Sequence, residues 1–178
     1  MLYIIGQILG IVAVILGFVS FLMKSSRNLI FFQILTAFVF AAHYLFIGAN
    51  TAVALNLLGA VRCIYYYFRN KRGSKALWSP IFFSVLTVLT SIWTWEGWYS
   101  WLIMIGLVIN AISFSFSNPQ TIRYSMFLKS PACLVYNGVV SSWGGVIYEV
   151  AVLISSTIGC ITYRREEKNA KVLTEIEE

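Results

Sequence analysis

Apolar residues run for about twenty positions at a time along this chain, broken at regular intervals by short polar punctuation. The first run, Leu2–Met23, holds no charged residue and matches the ~20 apolar positions a helix needs to cross bilayer hydrocarbon. Six more runs follow: Asn28–Ile47, Ala52–Phe68, Leu77–Trp95, Trp98–Phe116, Ile122–Val140 and Gly144–Tyr163. The third is the shortest and carries Arg62. The connections are brief (Lys24–Arg27, Gly48–Thr51, Arg69–Ala76, Glu96–Gly97, Ser117–Thr121 and Ser141–Trp143) and leave no room for a separate soluble domain. The tail RREEKNAKVLTEIEE is mixed in charge and reads as a short solvated helix or a frayed end. The pattern therefore predicts an all-α polytopic membrane protein with seven transmembrane helices.

Composition narrows the reading. Of 178 residues, 59% are hydrophobic and 11% charged, at a mean hydropathy of +0.79. A soluble domain averages ~45–50% apolar and ~25% charged residues, so this chain lacks the polar surface to stay in water. A water-soluble enzyme, a nucleic-acid module and a disordered scaffold are excluded. The net charge of +6 does not point to nucleic acid, because the basic residues form no stripe interleaved with stacking aromatics. They punctuate alternate connections: Lys24 and Arg27, then Arg69, Lys71, Arg72 and Lys75, then Arg123, then Arg164, Arg165, Lys168 and Lys171. The intervening connections (GANT, EG, SSW) have none. Basic loops stay on the cytoplasmic side, which predicts an outside N-terminus and a cytoplasmic C-terminus.

The N-terminal run lacks a basic leader and a small-x-small cleavage site, so it is read as a first span and not a signal peptide. Trp93, Trp95, Trp98, Tyr99 and Trp101 crowd the outer turn, where amphipathic rings sit at the headgroup level without any ligand to explain them. The three cysteines lie in apolar segments without metal-ligand spacing and are read as small hydrophobes.

The halves of the chain are weakly alike. A shift of 96 places Gly10 on Gly106, Phe18 on Phe114 and Arg27 on Arg123, and a shift of 93 places Asn56 on Glu149. Charge supports the pairing, since each copy starts outside and carries basic residues at its first and third inner ends. Span four is then the connector that two parallel three-helix units require. The expected architecture is two parallel three-helix repeats joined by a linker helix, with repeat 1 at 1–75, the linker at 76–96, repeat 2 at 97–165 and a cytoplasmic tail at 166–178.

The segment Asn118-Pro119-Gln120 ends span five where Met23-Lys24 ends span one. A Pro-Gln pair there resembles the hallmark of PQ-loop and SWEET-type transporters. More closely, the chain resembles the YgjV family of bacterial inner-membrane proteins over residues 1 to about 165. The matching features are GQILGIVAVILGFVSF (Gly6–Phe21), HYLFIG (His43–Gly48), the Asn56/Arg62 stretch and Glu149 after Gly144-Gly145. The resemblance implies a 3+1+3 fold and a bacterial inner (plasma) membrane location. In the sugar-transporting relatives, paired Asn residues on the third helix of each repeat face the substrate. The matching positions here are Asn56 and Glu149, and the change from Asn to Glu argues against neutral-sugar recognition. The Pro-Gln resemblance makes Pro119 and Gln120 a candidate hinge or gate; without it, Pro119 reads as a helix terminator.

Polar groups in hydrocarbon are costly unless they face a cavity or a partner, so each is a candidate. His43, Asn137, Asn56 and Glu149 all lie about four to five residues, roughly 6–8 Å, below the outer ends of their spans. One constriction would collect them, with Glu149 and Asn56 contacting solute. Glu149 has three readings: binding a cationic group, relaying a proton, or pairing with His43. For His43 and Asn137, interhelical hydrogen bonding is an equal alternative. Asn110 lies deeper, either on the same pathway or as an interhelical bond. Arg62 and Lys129 are expected to snorkel to the cytoplasmic headgroups, with anion binding as the sharper alternative. Pro131 predicts a kink within span six. Gly6-xxx-Gly10 allows close approach to another helix, either within the bundle or across a homodimer.

With no Asp, one His and no hydrolase, phosphate-loop or zinc-protease motif, the chain is not expected to be an enzyme, and no cofactor or metal is implied. The leading expectation is a transporter or facilitator of a small polar solute, working by alternating access of the two repeats. The alternative is a membrane receptor or assembly partner that moves nothing. The bilayer is the one certain partner.

Overall fold

A computed structural model describes residues 2–71, 78–116 and 118–177, the side chains of Lys71 and of residues beyond Asn169 excepted. Arg72, Lys75, Ala76, Leu77 and Ser117, which figure in the expected loop charges and boundaries, lie outside the described residues, as do the tail side chains beyond Asn169. The described residues form seven helices: α1 (Leu2–Leu22), α2 (Ser26–Ile47), α3 (Asn50–Lys71), α4 (Trp78–Trp93), α5 (Ser100–Ser113), α6 (Pro119–Val139) and α7 (Trp143–Glu177). Helix is what a bilayer demands, because every backbone N–H and C=O must find its partner within the segment.

Helices α1 and α7 separate an apolar outer stripe from an inner one richer in small and polar residues. On α1, Ile4, Ile8, Ile11 and Ile15 recur every three to four residues and are exposed, while Gly6, Gly10, Ala13 and Gly17 are buried. On α7, Ile147, Ile154, Ile158 and Ile161 face out, while Glu149, Ser155 and Ser156 are buried. Trp93 is 89% exposed, and Trp98, Trp101 and Trp143 also point outward, as a headgroup belt requires. The outward faces are thus apolar, while the interior combines an aromatic and aliphatic core with buried polar groups, an arrangement suited to lipid.

Local chemistry sets the ends. Ser25 caps α2, accepting from the Arg27 backbone N–H, and Gly48 closes it at φ +81°, a left-handed conformation that favours glycine. Asn118 caps α6: its Oδ1 accepts from the Gln120 N–H at 2.8 Å, with Pro119 in the first turn, where a missing N–H costs nothing. Pro119 therefore starts α6 and does not terminate span five, which ends at Ser113. Helix α6 continues through Pro131.

Three boundaries depart from the hydrophobic pattern. Helix α3 has 22 residues and is not short, because Arg69, Asn70 and Lys71 remain helical. The shortest described helix is α5, with 14 residues, since Trp98 and Tyr99 belong to the preceding turn. Helix α7 has 35 residues, so part of the mixed-charge tail simply extends it, for ~52 Å in all. Four described helices, α1, α2, α3 and α7, are long and apolar enough to cross a membrane by length and composition. Helices α4 and α5 are apolar but shorter, and α6 is diluted by Arg123, Lys129 and its serines.

Helix α1 packs on α2 and α7, α2 on α3, α5 on α6, and α6 on α7; α3 touches α5, and α4 lies against both of these. Six helices close a ring in the order α1, α2, α3, α5, α6, α7, with α4 laid on the α3–α5 seam. The glycine face of α1 makes the tightest crossing. A Cβ on Gly10 would lie 2.9 Å from the Gly144 Cα, and one on Gly17 would meet the Tyr148 ring. That face is filled by α2 and α7, so it offers no homodimer seam.

A charged cavity between the helices

The ring encloses a cavity of about 60 Å³ lined by α2, α3, α5, α6 and α7. Helix α6 contributes Lys129, Cys133 and Asn137, spaced i, i+4, i+8 and hence on one face. Helix α3 contributes Asn56, Gly59, Arg62 and Cys63, and α5 contributes Leu107, Asn110 and Phe114 at its end. Gln33, Phe40 and Tyr44 come from α2, and Tyr148 and Glu149 from α7.

The strongest interaction in the wall is an ion pair. Lys129 Nζ donates to Glu149 Oε1 at 2.7 Å, and the two side chains are 5% and 4% exposed. Lys129 lies ten residues, ~15 Å, from the C-terminal end of α6, and its long stem carries the ammonium inward to the acid. It also sits 5.3 Å from the centre of the Tyr148 ring. Lys129 does not snorkel to the headgroups as its sequence position suggests, and neither does Arg62, which is 3% exposed. Arg62 Nη1 donates to the Leu107 carbonyl at 3.1 Å, and its guanidinium carbon lies 5.9 Å from the Phe114 ring centre. Both side chains lie on the ring's inner face, where Arg62 finds the Leu107 carbonyl and Lys129 finds Glu149.

The cavity also holds polar atoms without partners. Glu149 Oε2, Asn110 Oδ1 and Arg62 Nε are buried and make no hydrogen bond with protein atoms. Asn56, half-buried, donates from Nδ2 to the Ala52 carbonyl of its own helix at 2.8 Å. Asn137 Oδ1 accepts from the Tyr44 hydroxyl at 2.5 Å. Gln33 extends the wall toward α1: Tyr148 donates to its Oε1 at 3.4 Å, and its Nε2 donates to Ser20 Oγ at 3.0 Å.

Four of the five residues expected at the site, Asn56, Glu149, Asn137 and Asn110, therefore come together on one cavity. His43 is fully buried but lines a different place. Its Nδ1 donates to the Gly6 carbonyl at 2.7 Å, since a carbonyl can only accept, and its Nε2 lies 2.7 Å from Ser142 Oγ. Ser142 Oγ in turn accepts from the Gly145 N–H at 3.1 Å, leaving its own hydrogen for His43 Nε2. The imidazole is a neutral strut joining α1, α2 and the α6–α7 turn, and it makes no contact with Glu149. Gln120, by contrast, is buried away from the cavity with both amide atoms unpartnered.

A second recess of about 330 Å³ opens beside the α2–α3 and α4–α5 turns, lined by Gly48, Glu96, Tyr99 and Val140. Tyr136, whose neighbour Asn137 lines the inner cavity, is fully buried 5.8 Å from the Tyr99 ring. At the opposite end of the bundle, Arg123 donates to the carbonyls of Phe21 at 3.0 Å and Met23 at 2.6 Å on the α1 side, and of Gly159 on α7 at 3.4 Å. Among the described residues, no group of His, Cys and acidic side chains is placed to hold a metal ion.

Missing from the sequence reading were Arg62 and Lys129 as cavity residues. The i, i+4, i+8 relation of Lys129 to Cys133 and Asn137 was the available signal, since a candidate amide two turns away fixes the face.

Lipid-facing apolar stripes around a buried charged interior define a multi-pass integral membrane protein. Comparison with known families makes this specific. Residues 4–167 match the family described as bacterial inner membrane protein, Imp-YgjV, and the chain belongs to that family. It is 23% identical over 168 residues to the inner membrane protein YgjV of Escherichia coli (strain K12), covering 93% of this chain and 88% of that one. No solved structure matches.

Proposed function

We propose that this inner-membrane protein is a carrier for a small polar solute, and that the α2–α3–α5–α6–α7 cavity is its binding site. The observation that carries the reading is the set of unpartnered polar atoms on that cavity. Buried groups without hydrogen bonds are costly, several kcal/mol each in hydrocarbon, and such a cluster at the bundle centre is what a visiting solute and its water would satisfy.

The helix pairing supports the 3+1+3 reading related to SWEET and PQ-loop carriers. The first helix of each triplet meets the third helix of the other, α1 with α7 and α5 with α3, as a pseudo-two-fold exchange requires. On this reading 1–75 and 97–165 are the rocking units, 76–96 is the linker, 166–178 is the tail, and all seven helices cross with the N-terminus outside. Helices α4 and α5, of 16 and 14 residues, span ~24 and ~21 Å and are completed by their flanking turns. Rocking would open the cavity first toward the Tyr99 recess, then toward the Arg123 end, with Pro119 and Gln120 as the hinge. Catalysis fits less well, because His43 is held at both ring nitrogens and Glu149 is engaged by Lys129.

The test is flux into proteoliposomes of the purified chain, screened across sugars, amines, vitamins and organic acids. At least one solute is expected to enter faster than through protein-free vesicles, with Glu149→Gln and Asn56→Ala each slowing entry by about tenfold at equal reconstitution. Flux absent for every class, or unchanged in both variants, sinks the proposal.

A further inference from the structure

The charges on the cavity say what kind of solute it takes. Lys129 and Glu149 neutralise each other at 2.7 Å. Arg62 has no such partner: among the described residues no carboxylate lies within ion-pair distance of it. Glu96 sits at the recess end, where it accepts from the Asn50 N–H, and Glu166 is paired with Lys24 outside the bundle. A guanidinium stays protonated under all ordinary conditions, so the cavity carries one unbalanced positive charge at a site 3% exposed. A buried cation without a counter-ion is strongly unfavourable, and a carbonyl and the face of the Phe114 ring offset only part of the penalty.

A neutral polyol would leave that charge uncompensated, and an amine would add to it. An anion removes it, and the planar guanidinium fork can meet both oxygens of a carboxylate with parallel N–H groups. The remaining open atoms, Glu149 Oε2 and Asn110 Oδ1, are both acceptors, so the solute must also present a donor. The cavity volume of about 60 Å³ favours a compact solute. We infer that the solute is a compact carboxylate bearing a hydroxyl or ammonium group, its carboxylate on Arg62 and its donor toward Glu149 and Asn110. This rests on the carrier reading and specifies its substrate class.

Binding and flux are measured separately on the purified full chain, with L-lactate, L-alanine, glycerol and ethanolammonium as probes. Lactate or alanine is expected to raise the thermal midpoint in detergent in a concentration-dependent way, while glycerol and ethanolammonium do not. The hydroxyl and ammonium arms identify the donor. Arg62→Gln should weaken carboxylate binding by about tenfold or more, and Arg62→Lys should restore part of it. Stabilisation by glycerol or ethanolammonium in place of the carboxylates overturns the inference and leaves the carrier reading standing. Carboxylate binding without flux keeps the inference and removes the carrier. No stabilisation by either carboxylate overturns the inference even where another solute is carried, and needs no folded variant to be read.

Discussion

Lys129 and Glu149 show how strongly a single pair constrains this interior. Each side chain is almost fully buried, and each satisfies the other at 2.7 Å. Removing one leaves an uncompensated charge, which costs about 3–5 kcal/mol; removing both does not add those penalties. Lys129→Met is therefore expected to lower unfolding stability in mixed micelles by about 3–5 kcal/mol, and Lys129→Met/Glu149→Gln to recover at least ~1 kcal/mol of that loss. Equal losses in single and double variants would mean that the pair is not coupled. At this scale the sequence was partly legible. Glu149 stands out as the one acid within an apolar run, and its depth groups it with Asn56 and Asn137. The direction of a side chain around its helix is harder to read. His43 shares their depth yet turns toward Gly6 and Ser142, and Lys129 and Arg62, read as interfacial from their distance to a helix end, turn inward.

Among the elements, α1 depends on close approach. Its inner glycines let backbone meet backbone at Gly10 and Gly144, where packing and not hydrophobic transfer holds helices together in lipid. Gly10→Ala forces that crossing apart and should cost about 1–3 kcal/mol. Gly138→Ala on α6, whose added Cβ would meet nothing within 4 Å, should stay within about 0.5 kcal/mol of wild type. Comparing the two midpoints in one detergent checks the crossing, and an undisturbed Gly10→Ala would argue against it. Helix existence was legible from the apolar runs, because a bilayer permits little else. Ends were less so. Arg69 is aromatic-backed at 4.8 Å from the Tyr66 ring and bonded to Ser79 Oγ at 3.0 Å, which keeps α3 helical through a stretch that reads as loop. The Trp-rich stretch, apolar by composition, holds a turn at Trp98 and Tyr99, so α5 begins only at Ser100.

The whole molecule is a ring of helices with apolar outward faces, and Arg62, Lys129 and Glu149 line the space between them. The carrier reading stands or falls on whether that space is reached by water. Cys63 and Cys133 both line it, are buried, and are free thiols, while Cys160 lies elsewhere and can be removed. The most direct measurement is the labelling of Cys63 and Cys133 in Cys160→Ser protein, folded in lipid vesicles, by a small membrane-impermeant methanethiosulfonate. The account predicts that at least one of the two thiols reacts while the protein remains folded, as the cavity opens in turn to each side. Thiols that stay inert from both faces of the membrane, and label only after the protein is unfolded in detergent, would show a sealed interior and contradict it.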